Sequence, residues 1–563
     1  MLRVEVPAVQ RLVALAVSTC FVLVLGSCRQ GPGDERSALQ PPRLFEGLGG
    51  IHQPISSQVP EAQQYFNQGL ALTYGFNHEA AIDSFREAAR LDPQCAICWW
   101  GVAYAWGPNI NAPMGPQGAA EAWKAAQEAK RLARHASPAE RAWIEALQTR
   151  YVEDPEASAG AERKALDRAY ADAMRGLRRA QPENLHVAAL FAESLMDLSP
   201  WNYWQDDGSP REHTEEVAES LAFVLEREPN HVGALHFWIH LYERFEPERA
   251  EAQADRLWQL APSAGHLVHM PAHIYFRVGR YAESADVNER AAAADVAWFS
   301  WCRAPQAYAA LYYPHNLHFL WASALAQGDF DGSITAARRL VAQIRDDQLR
   351  DFPFLEDFLT TPLLTFARFG EWDLVLGEPA PPAERRFQTA LWHYARGLAF
   401  ARTRDLAGAA EERAALAAIA VDPQLGAMIF DTSGGTAGER LGVARLHLDG
   451  EIAAARKDTG AAVEALEEAI EIQDAMPYAE PPPFYVPIRQ VLGGVLLDAN
   501  RAAAAEQVFR EDLHRYPNNG WSLYGLAKSL EKQGKKAQAG WAQEGYRNAW
   551  ARAGSSPRRP YSF

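Results

Sequence analysis

The sequence predicts an all-α protein, and three observations carry that prediction. Alanine-rich helical text runs through most of the 563 residues, with almost none of the period-two alternation that a half-buried strand needs. The composition, 48% hydrophobic and 22% charged, is that of a globular chain and excludes disorder. Five cysteines cannot build a disulfide scaffold in a chain this long, so the stability has to come from packed helices. The formal net charge of -16 repels phosphate backbones and argues against nucleic acid as a partner.

The N-terminal segment reads as an address. Arg3 and Arg11 flank a basic start, and Leu12 to Leu25 is apolar apart from Ser18 and Thr19, which fits a secretory signal and is shorter than the ~20 residues of a membrane-spanning helix. It ends in Leu25-Gly26-Ser27-Cys28, which resembles the bacterial lipobox. That resemblance implies cleavage before Cys28, lipidation of Cys28 and attachment to a membrane by lipid alone; a plain secretory signal is the alternative. Residues 28–57 read as a polar tether, with the absence of Asp after Cys28 favouring the outer membrane. The expected location is the periplasm or cell surface, where exposed thiols tend to be oxidised.

A repeat follows. Tyr65, Gly69, Leu72, Ala81, Phe85, Ala88 and Pro93 mark a first unit, of which Gly69, Leu72, Ala81, Phe85 and Pro93 recur in register as Gly493, Leu496, Ala505, Phe509 and Pro517, and the next unit starts at Gly520 with Gly534 and Ala539. The pattern resembles the tetratricopeptide repeat, a 34-residue helix-turn-helix. The resemblance implies a tetratricopeptide-type solenoid in which stacked pairs bury their apolar faces and the first helices line a groove. Weaker copies begin near Leu185, His231, Gly265 and Pro314, and helical pairs are expected over 383–420 and 436–476. The expected divisions are repeats over 58–180, a His-rich set over 181–345, a C-terminal set and cap over 346–553, and a tail over 554–563.

Irregular aromatic segments interrupt the array: Gly107 to Met114, Pro200 to Gly208 with Trp201 and Trp204, and Ala297 to Tyr313. Loops of this kind serve as lids over a site or as structural plugs. Met476 to Tyr485, with Tyr478 and Tyr485 and leading into Arg489, covers the groove or simply connects two repeats. Trp201, Trp204, Tyr313, Tyr478, Tyr485 and Arg489 are the candidate substrate-loop residues.

Histidine placement points to chemistry. Seven of the sixteen histidines lie between His236 and His318: His236, His240, His266, His269, His273, His315 and His318. Counted from the repeat starts, they fall on one arc of the first helices, opposite the packing arc at ~100° per residue. His186 and Glu193 share that arc in the preceding unit, and Glu243 follows His240 by three. Imidazoles at helical spacing on facing helices assemble metal centres. The expected ligand is a transition metal, with copper favoured and zinc or iron possible, because imidazoles outnumber carboxylates; seven histidines suffice for two metals. Glu193 and Glu243 are the candidate groups for moving a proton or orienting a ligand. A proline, Pro271, interrupts the helix that bears three of the histidines, as geometry-specifying sites do.

The segments Cys95 to Gly101, His269-Met270-Pro271-Ala272-His273-Ile274 and His315-Asn316-Leu317-His318-Phe319 resemble stretches of a poorly characterised group of large bacterial tetratricopeptide-repeat proteins. That resemblance implies a shared architecture and carries no activity. Cys95-x-x-Cys98 stands without a second such pair and reads as packing or a local disulfide rather than a redox centre. Two functions fit: a metal-dependent oxidoreductase acting on a small or peptide-like substrate, and a non-catalytic periplasmic scaffold binding proteins or peptides in the same groove.

Overall fold

A computed structural model describes residues 42–301, 306–430 and 435–553. The expected signal segment, Cys28, residues 28–41 of the expected tether and the tail 554–563 lie outside them. The fold is all-α, built of helical pairs of tetratricopeptide type, with no strand beyond isolated bridges among the described residues. No helix among them is long and apolar enough to cross a membrane. The chain forms two compact units, Met1–Pro271 with Arg290–Tyr313, and Ala272–Glu289 with Pro314–Phe563.

In the first unit, Pro60–Tyr74 packs on His78–Leu91, Ala96–Ala105 on Pro116–Leu132, Leu185–Met196 on Thr214–Arg227, and Val232–Tyr242 on Glu251–Leu260. The second unit pairs Thr361–Phe369 with Trp372–Gly377, Arg386–Arg402 with Leu406–Ala420, and Ala437–Ala455 with Thr459–Ala475. Ile488–Asp498 then pairs with Ala502–Arg515, and Gly520–Lys532 with Lys536–Ala549.

The repeated glycines and phenylalanines explain this packing. The Phe85 ring, fully buried, lies between two first helices, and a Cβ added at Gly69 or Gly101 would come within 2.6 or 2.4 Å of it. Phe509 occupies the same slot between Gly493 and Gly525, where a Cβ would approach to 2.5 or 2.2 Å. One ring therefore locks its own pair to the next, which explains why an isolated pair cannot hide its apolar face.

The repeat also sets where first helices begin. Two residues after Pro182, Pro229 and Pro517, the side chains of Asn184, His231 and Asn519 accept the N–H groups of Val187, Ala234 and Trp521 at 3.1 Å each. Each thus satisfies one of the N-terminal donors that a helix leaves unpaired. Cys95 stands at the same offset from Pro93 and is joined to Cys98 in a disulfide, the local-staple reading of that pair.

Two expectations need correction. The described residues of the segment from Ala297 to Tyr313 are helical: helices Tyr281–Trp301 and Gln306–Ala326 extend into it, and Tyr308 and Tyr312 stack one turn apart at 4.9 Å. Pro314 accordingly lies inside a helix rather than opening one. Short helices Asp346–Asp351, Glu356–Leu359 and Trp372–Gly377 fill a region where the sequence shows no repeat register. The break at Pro271 is as expected, with Gly265–His269 ending before it and Pro271–Arg277 starting on it.

Candidate metal centre

The helix Val232–Tyr242 places His236 and His240 one turn apart on one face, and Gly265–His269, the next first helix, brings His266 opposite them. All three are at least 97% buried, with exposures of 0%, 3% and 3%. Their Nε2 atoms converge: His240 to His236 at 3.0 Å and His266 to His236 at 3.1 Å. Ligand atoms of the three lie within 4.8 Å of one another.

The opposite edges of two of these rings decide what the convergence means. The Nδ1–H of His236 donates to the Tyr74 carbonyl at 2.7 Å, and that of His240 to Glu243 Oε1 at 2.9 Å. A carbonyl can only accept, and an ionised carboxylate can only accept. With both rings neutral and Glu243 ionised, two Nε2 lone pairs face each other across 3.0 Å, a contact that a cation between them would relieve. A metal bound at 2.0–2.1 Å with tetrahedral angles separates its ligand nitrogens by about 3.3 Å, close to the spacing here. Carbonyl and carboxylate partners behind metal-binding imidazoles are the usual means of fixing tautomer and ring orientation.

Aromatic rings enclose the triad. Phe76 lies 4.6 Å from the His236 ring and 5.4 Å from His266, Trp201 lies edge-on 5.0 Å from His240, and Tyr312 lies 4.8 Å from His266. Phe76 and Trp201 both hold positive φ, 54° and 62°, a conformation that costs energy in a bulky residue and gathers at functional sites. The Trp201 indole donates to the Ile110 carbonyl and Asn111 Oδ1 at 3.0 and 3.1 Å, so two of the irregular segments lock together there. Trp204 is buried, and its indole donates to the Leu241 carbonyl at 2.6 Å, capping the helix that carries His236 and His240. Tyr74 and Phe76 had no motif to mark them, whereas Tyr312 lies in the aromatic segment Ala297 to Tyr313 that the sequence singled out.

The remaining candidates sit elsewhere. His269 is fully buried with its ring 6.0 Å from that of His266. Tyr313 packs against Phe299 at 5.7 Å. In the second unit, the rings of His273 and His315 are 6.1 Å apart. His318 stacks on Trp321 at 5.3 Å and meets Phe358 at 4.8 Å, and burial holds it well below its ordinary pKa. Tyr478 donates to Glu480 at 2.7 Å, and Arg489 grips Asp474 with two bonds of 2.8 and 2.6 Å.

His186 and His231 form a separate network. The Nδ1 of His231 is committed as a helix cap, so its Nε2–H faces His186 Nδ1 at 3.0 Å. The Nε2–H of His186 points at the His52 carbonyl at 3.4 Å. Burial lowers these two imidazoles to about 4 for His186 and about 3 for His231, so both are neutral and satisfied by protein groups.

Glu193 accepts the Tyr104 hydroxyl, near the buried Arg150–Asp197 ion pair of 2.6 Å. Burial pushes its carboxyl up from 4.5 to about 7. The folded chain then holds a proton that the unfolded chain has released between those pH values, so this group makes stability fall as pH rises through that window. Glu193→Gln is expected to gain stability relative to the parent at pH 8 and to match it at pH 4; urea unfolding at both pH values checks this.

Residues 62–95 match the tetratricopeptide repeat family, and no curated protein matches the sequence. A crystal structure of yeast Tom70 is 11% identical over 86% of this chain and 93% of its own, with a TM-score of 0.29. The human IFIT1 dimer with m7Gppp-AAAA is 13% identical over 89% and 91%, with a TM-score of 0.30. The Cut9-Hcn1 hetero-tetramer of the APC/C is 12% identical over 88% and 91%, with a TM-score of 0.29. The stretch 62–95 is thus similar to the repeat that the glycine and phenylalanine register describes.

Proposed function

We propose that His236, His240 and His266 hold one transition-metal ion through Nε2. The observation that carries this is the 3.0 Å approach of the His236 and His240 Nε2 atoms, with the Tyr74 carbonyl and the Glu243 carboxylate on the opposite ring nitrogens. Neutral imidazoles suit copper, zinc, iron or nickel, and the lack of a direct carboxylate ligand disfavours calcium and magnesium.

Copper is the preferred metal, and the finer reading is an oxidoreductase acting on a small or peptide-like substrate. Three protein ligands leave a coordination position open, at which a bound metal would supply Lewis-acid or redox chemistry. The chain's own part is positional. Glu243 holds the His240 ring in one tautomer, Tyr74 does the same for His236, and Phe76, Trp201 and Tyr312 exclude water. Metal analysis of the full chain, purified in detergent and reconstituted separately with Cu(II), Zn(II) and Fe(II), should find about one equivalent of the preferred ion. Less than about a tenth of an equivalent of every ion would refute the centre.

The second reading, a scaffold for protein or peptide partners, is favoured by the helical-pair architecture itself. It predicts partner binding that persists unchanged after chelation. We further propose that Cys28 is lipidated and ties the chain to the outer membrane. Cys28→Ser is expected to move the protein from the membrane fraction to the soluble fraction; lipid labelling that persists in the variant rules the anchor out.

A further inference from the structure

The second unit buries a cation that has no carboxylate in contact. Arg368, on helix Thr361–Phe369, is 6% exposed. Its guanidinium lies 3.8 Å over the Trp521 ring, and its Nη2 donates to Gln490 Oε1. Among the described residues it makes no ion pair and no other hydrogen bond, and its Nε and Nη1 are not among the fully enclosed polar atoms. Both therefore reach accessible space. The nearest acid, Asp512, is reached only through Gln490, whose Nε2 donates to Asp512 Oδ2 at 2.9 Å while Ser522 donates to the same oxygen at 2.5 Å. Burying a guanidinium without an anion costs several kcal/mol, and here burial lowers the Arg368 pKa to about 10.

The neighbouring groups form a chain. Arg402 donates to Glu451, and His447 Nε2 lies 3.8 Å from the same carboxylate. Burial raises the Glu451 carboxyl, but the charge of Arg402 outweighs it and holds the group down to about 2, so it is an anion. A hydrogen bond of 2.7 Å joins His447 Nδ1 to the Tyr394 hydroxyl, and one of 3.2 Å joins the Tyr394 and Tyr485 hydroxyls. Arg402 and Glu451 cancel in charge. Arg368 acts electrostatically on Tyr394, Tyr485 and His447 and has no counter-ion in contact.

These side chains come from the first helices of five consecutive pairs: Arg368, Tyr394, His447, Gln490 and Trp521, with Tyr485 from the preceding aromatic loop. We propose that this face of the second unit is a binding site for a planar monoanionic carboxylate seated on Arg368 between Trp521 and Tyr485. The guanidinium fork matches a carboxylate in two parallel hydrogen bonds. One cation with the Asp512 carboxylate already acting on it is a poor match for a dianionic phosphate. The carboxylate belongs either to a small organic acid or to the C-terminus of a peptide. The site is independent of the histidine triad.

Calorimetric titration of the full chain tests this with three probes: benzoate, N-acetyl-Gly-Phe, and the same dipeptide as its C-terminal amide. Saturable binding of benzoate assigns a free acid, and binding of the dipeptide but not benzoate or the amide assigns a peptide terminus. Arg368→Gln is expected to weaken binding at least about tenfold, and Arg368→Lys, which keeps the charge and loses the fork, at least about threefold. If Arg368→Gln fails to fold, Arg368→Lys decides alone. Absence of saturation by either acid, equal binding of the amide, or parental affinity in the folded variants overturns the proposal.

Discussion

Alanine at both His240 and His266 is expected to abolish metal retention in the reconstituted full chain while leaving the helical circular dichroism in place. Each substitution removes an Nε2 donor from the triad, and the one remaining imidazole, His236, cannot hold a metal against a chelator. The effect extends to stability. A ligand present at about a thousand times its Kd adds about 4 kcal/mol to the folded state, so the thermal midpoint of the parent should fall by several degrees on chelation and that of the double variant should not move. Glu243→Gln provides a graded control. It keeps all three imidazoles but replaces the carboxylate behind His240 with an amide, and the loss of such a partner typically costs 10–100-fold in metal affinity. Full metal occupancy in the double variant would place the ion elsewhere.

Phe509→Ala is expected to destabilise the second unit by about 3–5 kcal/mol, the cost of emptying a buried aromatic site. The ring is fully buried and touches Gly493 in its own pair and Gly525 in the next, so its loss opens a hole on both sides. Glycine backbones cannot collapse into that hole, because they have no side chain to move. Trp541→Ala is the contrast. Trp541 is 62% exposed, and its removal should change stability by less than about 0.5 kcal/mol. Urea unfolding of the two variants checks both values; equal effects would mean that the Gly-Phe-Gly slot does not join neighbouring pairs.

The parts of the fold that repeat were legible because the repeat is a local property. Gly69, Phe85 and Pro93 return as Gly493, Phe509 and Pro517, and the pairs expected over 383–420 and 436–476 appear as Arg386–Arg402 with Leu406–Ala420 and Ala437–Ala455 with Thr459–Ala475. Reading failed where the register was absent. Tyr308, Tyr312 and Tyr313 suggested a loop by composition, yet they lie on a helix, because stacking of Tyr308 on Tyr312 rewards helical spacing.

The site was legible in part for the same reason. Helical arithmetic put His236 and His240 on one face and His266 on the next first helix, but it could not tell His231 from them. The cap register explains the difference: His231 stands two residues after Pro229, where Asn184 stands after Pro182, and its Nδ1 is spent on a backbone N–H. Glu193 lies on the expected arc, but the structure pairs it with Tyr104, a residue 89 positions away that no spacing rule connects to it.

The sequence by itself determined the helical class, the pair-by-pair register and the concentration of imidazoles on first helices, since each depends on residues within one or two turns of each other. Only the tertiary structure decided which imidazoles converge and what fixes their tautomers. The carbonyl behind His236 belongs to Tyr74, 162 residues earlier, and the ring of Phe76 comes from the turn after helix Pro60–Tyr74 while Tyr312 comes from helix Gln306–Ala326. A lone pair has a direction only once its opposite nitrogen has a partner, and those partners are chosen by packing.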